Sequence, residues 1–280
     1  MALAASQCDY HMHSTASDGA LSPTELLHLA ADKGVQELAL TDHDTFAGLQ
    51  EARAVARTLE LTLLEGMEFS CAWKGITIHL VTLWPQGLTE TAREVAVIQE
   101  KARWQRAEKI IEKLSKARIQ LELDEVVEAA GGRVPGRPHF ARSLVERGYV
   151  KDQGQAFRKL LGAGKLGDVK NHWLEIDEAV PLLKDAGGWC ILAHPLRYKL
   201  TRSKRVRLVQ AFAAAGGQGV EVVSGRQDQN QTASMLKLAE ELNLLPSWGS
   251  DFHAPGPACP FPGCFARIPA ACQPLSEVFA

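Results

Sequence analysis

Glu37-Leu38-Ala39-Leu40-Thr41-Asp42-His43-Asp44 is a short apolar-rich run that leads straight into a carboxylate–imidazole–carboxylate triplet. Three other segments repeat the arrangement: His11-Met12-His13 with Asp18, Ala193-His194-Pro195, and Ser250-Asp251-Phe252-His253. Nearly every one caps an apolar run that reads as a β-strand. Strand ends that share one rim of a sheet or barrel bring distant ligands together. Imidazole with carboxylate suits Zn, Mn or Fe, whereas thiolate-rich sites favour softer chemistry.

Working outward, strand and helix alternate. Residues 23–34 read as a helix with Ser22 as N-cap, Pro23 in the first turn and Gly34 as the stop. Residues 45–59 read as a helix, and 61–64 and 76–84 as strands. The character then changes: 89–117 reads as a long charged helix, followed by helical stretches at 124–130, 138–147 and 152–161. Alternation resumes with helices at 176–186, 204–215 and 231–242 and strands at 189–193, 219–223 and 245–249. The tail from Ala254, rich in Pro and Cys, reads as irregular. The expected organisation is an α/β sheet or barrel in two parts, 7–88 and 171–280, interrupted by an all-helical insertion over 89–170.

Hydrophobic residues at 46% supply a core, and the formal net charge of only −2 argues against a protein that wraps long duplex nucleic acid. A small substrate or a short oligonucleotide fits better. Six cysteines, at 8, 71, 190, 259, 264 and 272, form no C-x-x-C pair and read as buried free thiols. A zinc knot from Cys259, Cys264 and Cys272 is the weaker reading, because the spacing is loose. No signal peptide or membrane span is legible, so a soluble cytoplasmic protein is expected.

His11 and His13, two apart on an expected strand, leave one face and can grip one cation. Asp18 follows in a Ser/Thr/Gly loop, where a carboxylate can bend back over the strand end. Asp42 and Asp44 flank His43 as orienting groups or ligands. Glu65 and Glu68 compete as the next carboxylate. A lone histidine inside an apolar run, as at His79, reads on its own as a packed core residue. Jointly, His or Asp at so many consecutive strand ends is a strong metal signal.

These residues resemble the PHP (polymerase and histidinol phosphatase) superfamily of metal-dependent phosphoesterases. His11-x-His13-Ser14-x-x-Ser17-Asp18-Gly19 is similar to its first motif, and Leu40-Thr41-Asp42-His43-Asp44-Thr45 to its second. Gly66-Met67-Glu68-Phe69-Ser70 with His79 is similar to the third, which selects Glu68 over Glu65; the His194 and Asp251–His253 segments complete the set. Gly136-Arg137-Pro138-His139-Phe140-Ala141 and Arg197-Tyr198 bring the chain nearest to the nucleoside 3′,5′-bisphosphate phosphatase and 5′→3′ exoribonuclease subgroup. The resemblance implies a distorted (β/α)7 barrel with its site at the C-terminal strand ends. It implies three divalent ions, with manganese ahead of zinc or iron: one on His11, His13, Glu68 and Asp251, one on Glu68, His79 and His194, and one on Asp18, His43 and His253.

Clustered divalent cations lower the pKa of bound water and neutralise phosphate oxygens, so direct in-line attack by a metal-bound hydroxide is expected. Arg137, His139 and Arg197 are the candidates to hold a second phosphate, since guanidinium meets phosphate bidentately. The run 201–207 reads as a solvated helix start that can also guide an anion. The expected reaction is removal of the 3′-phosphate of nucleoside 3′,5′-bisphosphates (pAp to AMP), with stepwise 5′ to 3′ hydrolysis of short 5′-phosphorylated RNAs. A histidinol-phosphate phosphatase and an inactive metal-binding scaffold are the alternatives.

Overall fold

A computed structural model describes residues 3–169, 173–257 and 259–279. In chain order its elements are β1 (Cys8–Asp9), α1 (Pro23–Asp32), β2 (Glu37–Leu40), α2 (Leu49–Thr58), β3 (Thr62–Trp73), β4 (Ile76–Leu83) and α3 (Glu90–Lys116). There follow α4 (Leu123–Ala129), α5 (Arg137–Glu146), α6 (Gln153–Ala156), α7 (Ile176–Asp185), β5 (Trp189–Leu192) and α8 (Arg202–Ala214). The last are β6 (Gly219–Ser224), α9 (Gln229–Glu241), β7 (Leu245–Gly249) and α10 (Leu275–Phe279). Two compact units emerge: Met1–Ala96 with Leu174–Ala280, and Val97–Trp173. The boundary expected at 170/171 lies outside the described residues.

The first unit is a mixed α/β barrel of seven strands in sequence order. Strands β1–β2–β3 and β5–β6–β7 pair in parallel, whereas β4 runs antiparallel to both neighbours. That reversal is what distorts the (β/α)7 pattern. Its cause is a tight hairpin: Lys74 and Gly75, with φ of 48° and 74°, connect Trp73 to Ile76. Two consecutive left-handed residues make the turn whose twist suits a two-residue hairpin. β3 therefore does not end near residue 64, as the apolar run suggested, but carries Glu68 in its interior.

The barrel closes through extended chain beyond β1 and β7. His13 N donates to Phe252 O (2.9 Å), Asp251 N donates to His11 O (2.8 Å), and Met12 bridges Phe252. Gly249 permits this approach, since a Cβ there would lie 2.4 Å from the His11 Cβ. His11 and His13 thus stand just past strand β1 and not within it.

Local signals explain the helix starts. At α1 the Ser22 hydroxyl accepts from Glu25 N, while the Glu25 carboxylate accepts from Ser22 N (2.8 Å), a reciprocal cap ahead of Pro23. Thr201 and Asp228 cap α8 and α9 with their side-chain oxygens, which accept from Lys204 N and from Asn230 N and Gln231 N, without a return bond. The core of the unit gathers Met67, Phe69, Ile78, Leu80, Ile191, Val220 and Trp248 inside and between the strands and helices. The tail is more ordered than its composition implied. Tyr10 Oη donates to Glu37 (2.6 Å) and accepts from Leu275 N (2.8 Å), and Ser276 N also reaches Glu37 (3.1 Å), so the start of α10 is fastened to the barrel.

The second unit is helical, with its own core of Ala107, Ile110, Leu114, Val126, Phe140, Leu144 and Leu161. Among the described residues no helix is long and apolar enough to cross a membrane.

Candidate metal centre

Glu68 organises the rim. Its Oε2 lies 3.2 Å from His11 Nε2, 3.1 Å from His13 Nε2 and 3.0 Å from His43 Nδ1. Its Oε1 lies 2.9 Å from His79 Nδ1 and 2.8 Å from His194 Nε2. Five imidazoles therefore surround one carboxylate that is fully buried. Glu65, three residues earlier, must face the other side of the strand. There it accepts from Arg53 and from Leu88 N.

Asp251 Oδ1 lies 3.5 Å from His11 Nε2, 3.3 Å from His13 Nε2 and 3.5 Å from His253 Nδ1. Asp18 stands 3.8 Å from His43 Nε2 and 3.5 Å from His253 Nε2. Three overlapping groups of ligand atoms result, all mutually within 4.8 Å: His11, His13, Glu68, Asp251; His13, Asp18, His43, His253; and His43, Glu68, His79. His79, which alone reads as core, belongs to the cluster, and all nine expected ligand residues meet at one place.

The residues fit metal ions. His11 Nε2, His13 Nε2, His79 Nδ1, Glu68 Oε2 and Asp251 Oδ1 are buried and make no hydrogen bond. An unsatisfied buried polar atom costs about 1–3 kcal/mol, so a convergent set of nitrogen and oxygen lone pairs calls for cations. Charge balance points the same way. Burial would raise the Glu68 and Asp251 carboxyls, yet the surrounding imidazoles hold both well below the usual range. Burial would depress His13, yet Asp251 and Glu68 hold it at about 10. Burial pushes His43 down to about 3, which keeps that ring in the neutral form a ligand needs.

A second ring of groups sets these side chains. Glu221, in β6 and only 2% exposed, holds His11 Nδ1 at 2.6 Å and accepts from His194 N at 2.6 Å. One carboxylate therefore fixes two candidate ligands, leaving His11 Nε2 toward Glu68. Sequence reasoning missed it; the available signal was a lone Glu in the apolar run Gly219-Val220-Glu221-Val222-Val223. Asp42 does not orient an imidazole: it accepts from Ser14 N, Ser14 Oγ and Ser17 Oγ at 2.6–2.8 Å and so shapes the loop that carries Asp18. Asp44 accepts from Ser70 N (2.6 Å) and Oγ (2.7 Å), clamping the β2 exit onto β3. Tyr198 Oη accepts from His79 N at 2.8 Å, and its ring packs edge-on against His194.

Three of these residues, Asp44, His194 and Asp251, have left-handed backbones with φ of 55°, 31° and 51°. Non-glycine residues hold such conformations at a cost of about 1–3 kcal/mol each, and functional sites are where they persist. Glu221→Gln should retain the fold but lower metal affinity by about 10–100-fold, the usual loss when a ligand's supporting carboxylate is changed. Calorimetric titration of the variant with Mn²⁺ checks this; an unchanged affinity would remove Glu221 from the metal centre.

Arg197 follows His194 by one turn, forms an ion pair with Asp251, and donates through Nη2 to Ser224 O at 3.3 Å. Its side chain remains 47% exposed beside the cluster. Arg137 and His139 belong to the helical unit, in the first turn of α5. Arg137 Nη1 donates to Leu161 O (3.4 Å), and His139 Nδ1 accepts from Gly136 N (2.9 Å).

Seven strands thus bring nine His, Asp and Glu side chains to one rim, a nitrogen and oxygen donor set suited to divalent metal ions. The PHP domain family model matches residues 9–135. A 5′-3′ exoribonuclease of Haemophilus influenzae is 43% identical over 247 residues, 88% of this chain and 90% of that protein. A 3′,5′-nucleoside bisphosphate phosphatase of Chromobacterium violaceum is 39% identical over 95% of this chain and 94% of its own length. Among solved structures, one described as an amidohydrolase from Chromobacterium violaceum, with bound sulfate and no metal, superposes with a TM-score of 0.83 at 37% identity, covering 97% and 95% of the two chains. One described as a metal-dependent phosphoesterase from Bifidobacterium adolescentis superposes with a TM-score of 0.77 at 28% identity, covering 91% and 89%. The chain belongs to the PHP family.

Proposed function

We propose that this protein is a phosphoester hydrolase that removes the 3′-phosphate from nucleoside 3′,5′-bisphosphates, converting pAp to AMP. On the same reading it shortens 5′-phosphorylated oligoribonucleotides from the 5′ end. The observation that carries the proposal is the convergence of nine ligand-type side chains, Glu68 among them, several with buried unsatisfied polar atoms. Relatives of about 40% identity with those two names support the substrate class.

The site is proposed to hold three divalent ions, manganese foremost. When bound, they would lower the pKa of water and neutralise phosphate oxygens. The chain's own residues do the rest. His11, His13, Glu68 and Asp251 would hold one ion, Glu68, His79 and His194 a second, and Asp18, His43 and His253 a third. Glu68, buried at the centre with imidazole nitrogens 2.8–3.2 Å from its two oxygens, would serve as a ligand to two of the ions and not as a base.

Arg197 is proposed to receive the substrate's other phosphate, because its guanidinium is half exposed yet anchored at the rim by Asp251 and the Ser224 carbonyl. Guanidinium provides five donors in a fixed fork, so it can keep Asp251 and still meet a phosphate edge.

The test compares kcat/KM with Mn²⁺ for pAp, a 5′-phosphorylated oligoribonucleotide and histidinol phosphate. Rapid turnover of the first two, with histidinol phosphate slow, is the expected result. Rapid histidinol phosphate turnover with pAp idle would overturn the substrate class. Metal binding without turnover of any of the three would favour a scaffold.

A further inference from the structure

Strand β4 presents one backbone donor of the metal centre to a place where its partner strand has ended. His79 faces the chain that follows β5, and Ala193 N donates to His79 O at 3.1 Å. In a regular antiparallel ladder the two residues of such a pair exchange both bonds, so His79 N would donate to Ala193 O. The ladder stops short of that second bond. At His194 the chain turns away with φ of 31°, and His194 N donates to Glu221 (2.6 Å). The partner of His79 N is instead a side chain: the Tyr198 hydroxyl accepts from it at 2.8 Å and takes the place of the strand carbonyl.

The same side chain also touches a second candidate ligand. Arg197 N donates to His194 O (2.9 Å), closing a turn over Pro195 and Leu196 that brings Tyr198 back beside the histidine. The Tyr198 ring lies edge-on to His194 with centroids 5.3 Å apart, and the His79 and His194 rings meet edge-on at 5.4 Å. Both imidazoles approach one oxygen of Glu68, Oε1, at 2.9 and 2.8 Å. His11, His13 and His43 gather on the other, Oε2. Among the described residues the Tyr198 side chain bonds or stacks with no candidate ligand besides His79 and His194. Tyr198 therefore serves one half of the cluster.

Resting on the metal-dependent reading above, we infer that Tyr198 is a positioning residue for one ion alone, the one assigned to Glu68, His79 and His194. Its hydroxyl sets the backbone of His79, and its ring sets the face of His194. Tyr198→Phe keeps the ring and removes the acceptor, which leaves the His79 N–H facing carbon. A buried N–H that loses its acceptor is costly, so β4 shifts toward another partner and carries the His79 imidazole with it. Changing a group that orients a ligand lowers metal affinity by about 10–100-fold, and a hold exerted through the backbone belongs at the lower end.

The test titrates the full-length, metal-free protein with Mn²⁺, following the free ion by electron paramagnetic resonance, in wild type, Tyr198→Phe, Tyr198→Leu and His79→Ala. Tyr198→Phe should weaken one class of site by on the order of tenfold and leave the others at wild-type affinity. Tyr198→Leu, which also strips the ring from His194, should weaken the same class further, and that class should be the one that His79→Ala removes. Before any metal is added, hydrogen exchange of the His79 amide should be faster in Tyr198→Phe than in wild type. Turnover of pAp lost in Tyr198→Phe at limiting Mn²⁺ should return at saturating Mn²⁺. An unchanged titration or unchanged His79 exchange would overturn the inference. So would equal weakening of every class with a fall in Tm, since Tyr198 would then only support the fold. Turnover separates this inference from the phosphoesterase reading. A wild type that binds Mn²⁺ and shows the selective effect, yet hydrolyses no phosphoester, keeps the role of Tyr198 and removes the activity; a wild type that binds no Mn²⁺ removes both.

Discussion

Glu68→Gln is expected to lower phosphoester hydrolysis by on the order of 10³-fold, equivalent to about 4 kcal/mol of barrier. The substitution keeps the size of the side chain and removes its charge. In the wild type, that charge faces five imidazole nitrogens at 2.8–3.2 Å from a fully buried position. An amide presents one oxygen and one NH₂, so it can offer a lone pair to one half of the cluster only, and its N–H groups face ligand nitrogens on the other half. The loss should therefore fall on kcat and on metal content together. Steady-state rates and elemental analysis of the purified variant are the measurements. A variant that retains a full complement of metal and near-native kcat would show that Glu68 is not the bridge.

Chelation should be as damaging and should report on stability too. A cation that binds the folded chain and not the unfolded one stabilises the fold by about 2.7 kcal/mol when its concentration is 100-fold above Kd. For a barrel unit of this size that is a rise of roughly 5–10 °C in Tm per occupied site, with 1 kcal/mol moving Tm by about 2–4 °C. EDTA treatment should therefore abolish turnover and lower Tm, and added Mn²⁺ should restore both. The pH dependence has a definite sign. His13 is held at about 10 by Asp251 and Glu68 against burial, so below that pH the ring carries a proton that metal must displace. Metal affinity should fall as pH falls, with proton release on binding seen in weakly buffered solution. An EDTA-treated protein with unchanged Tm and activity would contradict the metal centre outright.

Much of this centre was legible in the sequence because the fold places one chemistry at a repeated address. The β2 strand leads directly into Thr41-Asp42-His43-Asp44, and His194 and Asp251 each stand two residues past the ends of β5 and β7. Those positions can be read from apolar runs and their ends. Glu68 and His79 could not be assigned that way. Both lie inside strands, and which side of β3 faces the rim depends on a hairpin that Lys74-Gly75 sets. Resemblance to a known family chose Glu68 over Glu65, and the opposite faces of residues three apart explain why only one of them fits.

Other features left no usable trace. Glu221 appears in sequence as a charge interrupting an apolar strand, and nothing local says that it would meet His11, 210 residues away. The left-handed backbones of His194 and Asp251 are imposed by the closing barrel and not by residue type. The tail looked structureless because the contacts that order it, Tyr10 and Glu37 with Leu275 and Ser276, join opposite ends of the chain.

The most direct measurement is identification of the nucleotide formed when pAp is incubated with the Mn²⁺-loaded protein, by chromatography against authentic 5′-AMP and 3′-AMP. The account predicts 5′-AMP and one equivalent of phosphate, with the 3′ phosphoester at the Glu68 cluster and the 5′-phosphate on Arg197. Accumulation of 3′-AMP would contradict it, since the substrate would then lie the other way round between cluster and arginine.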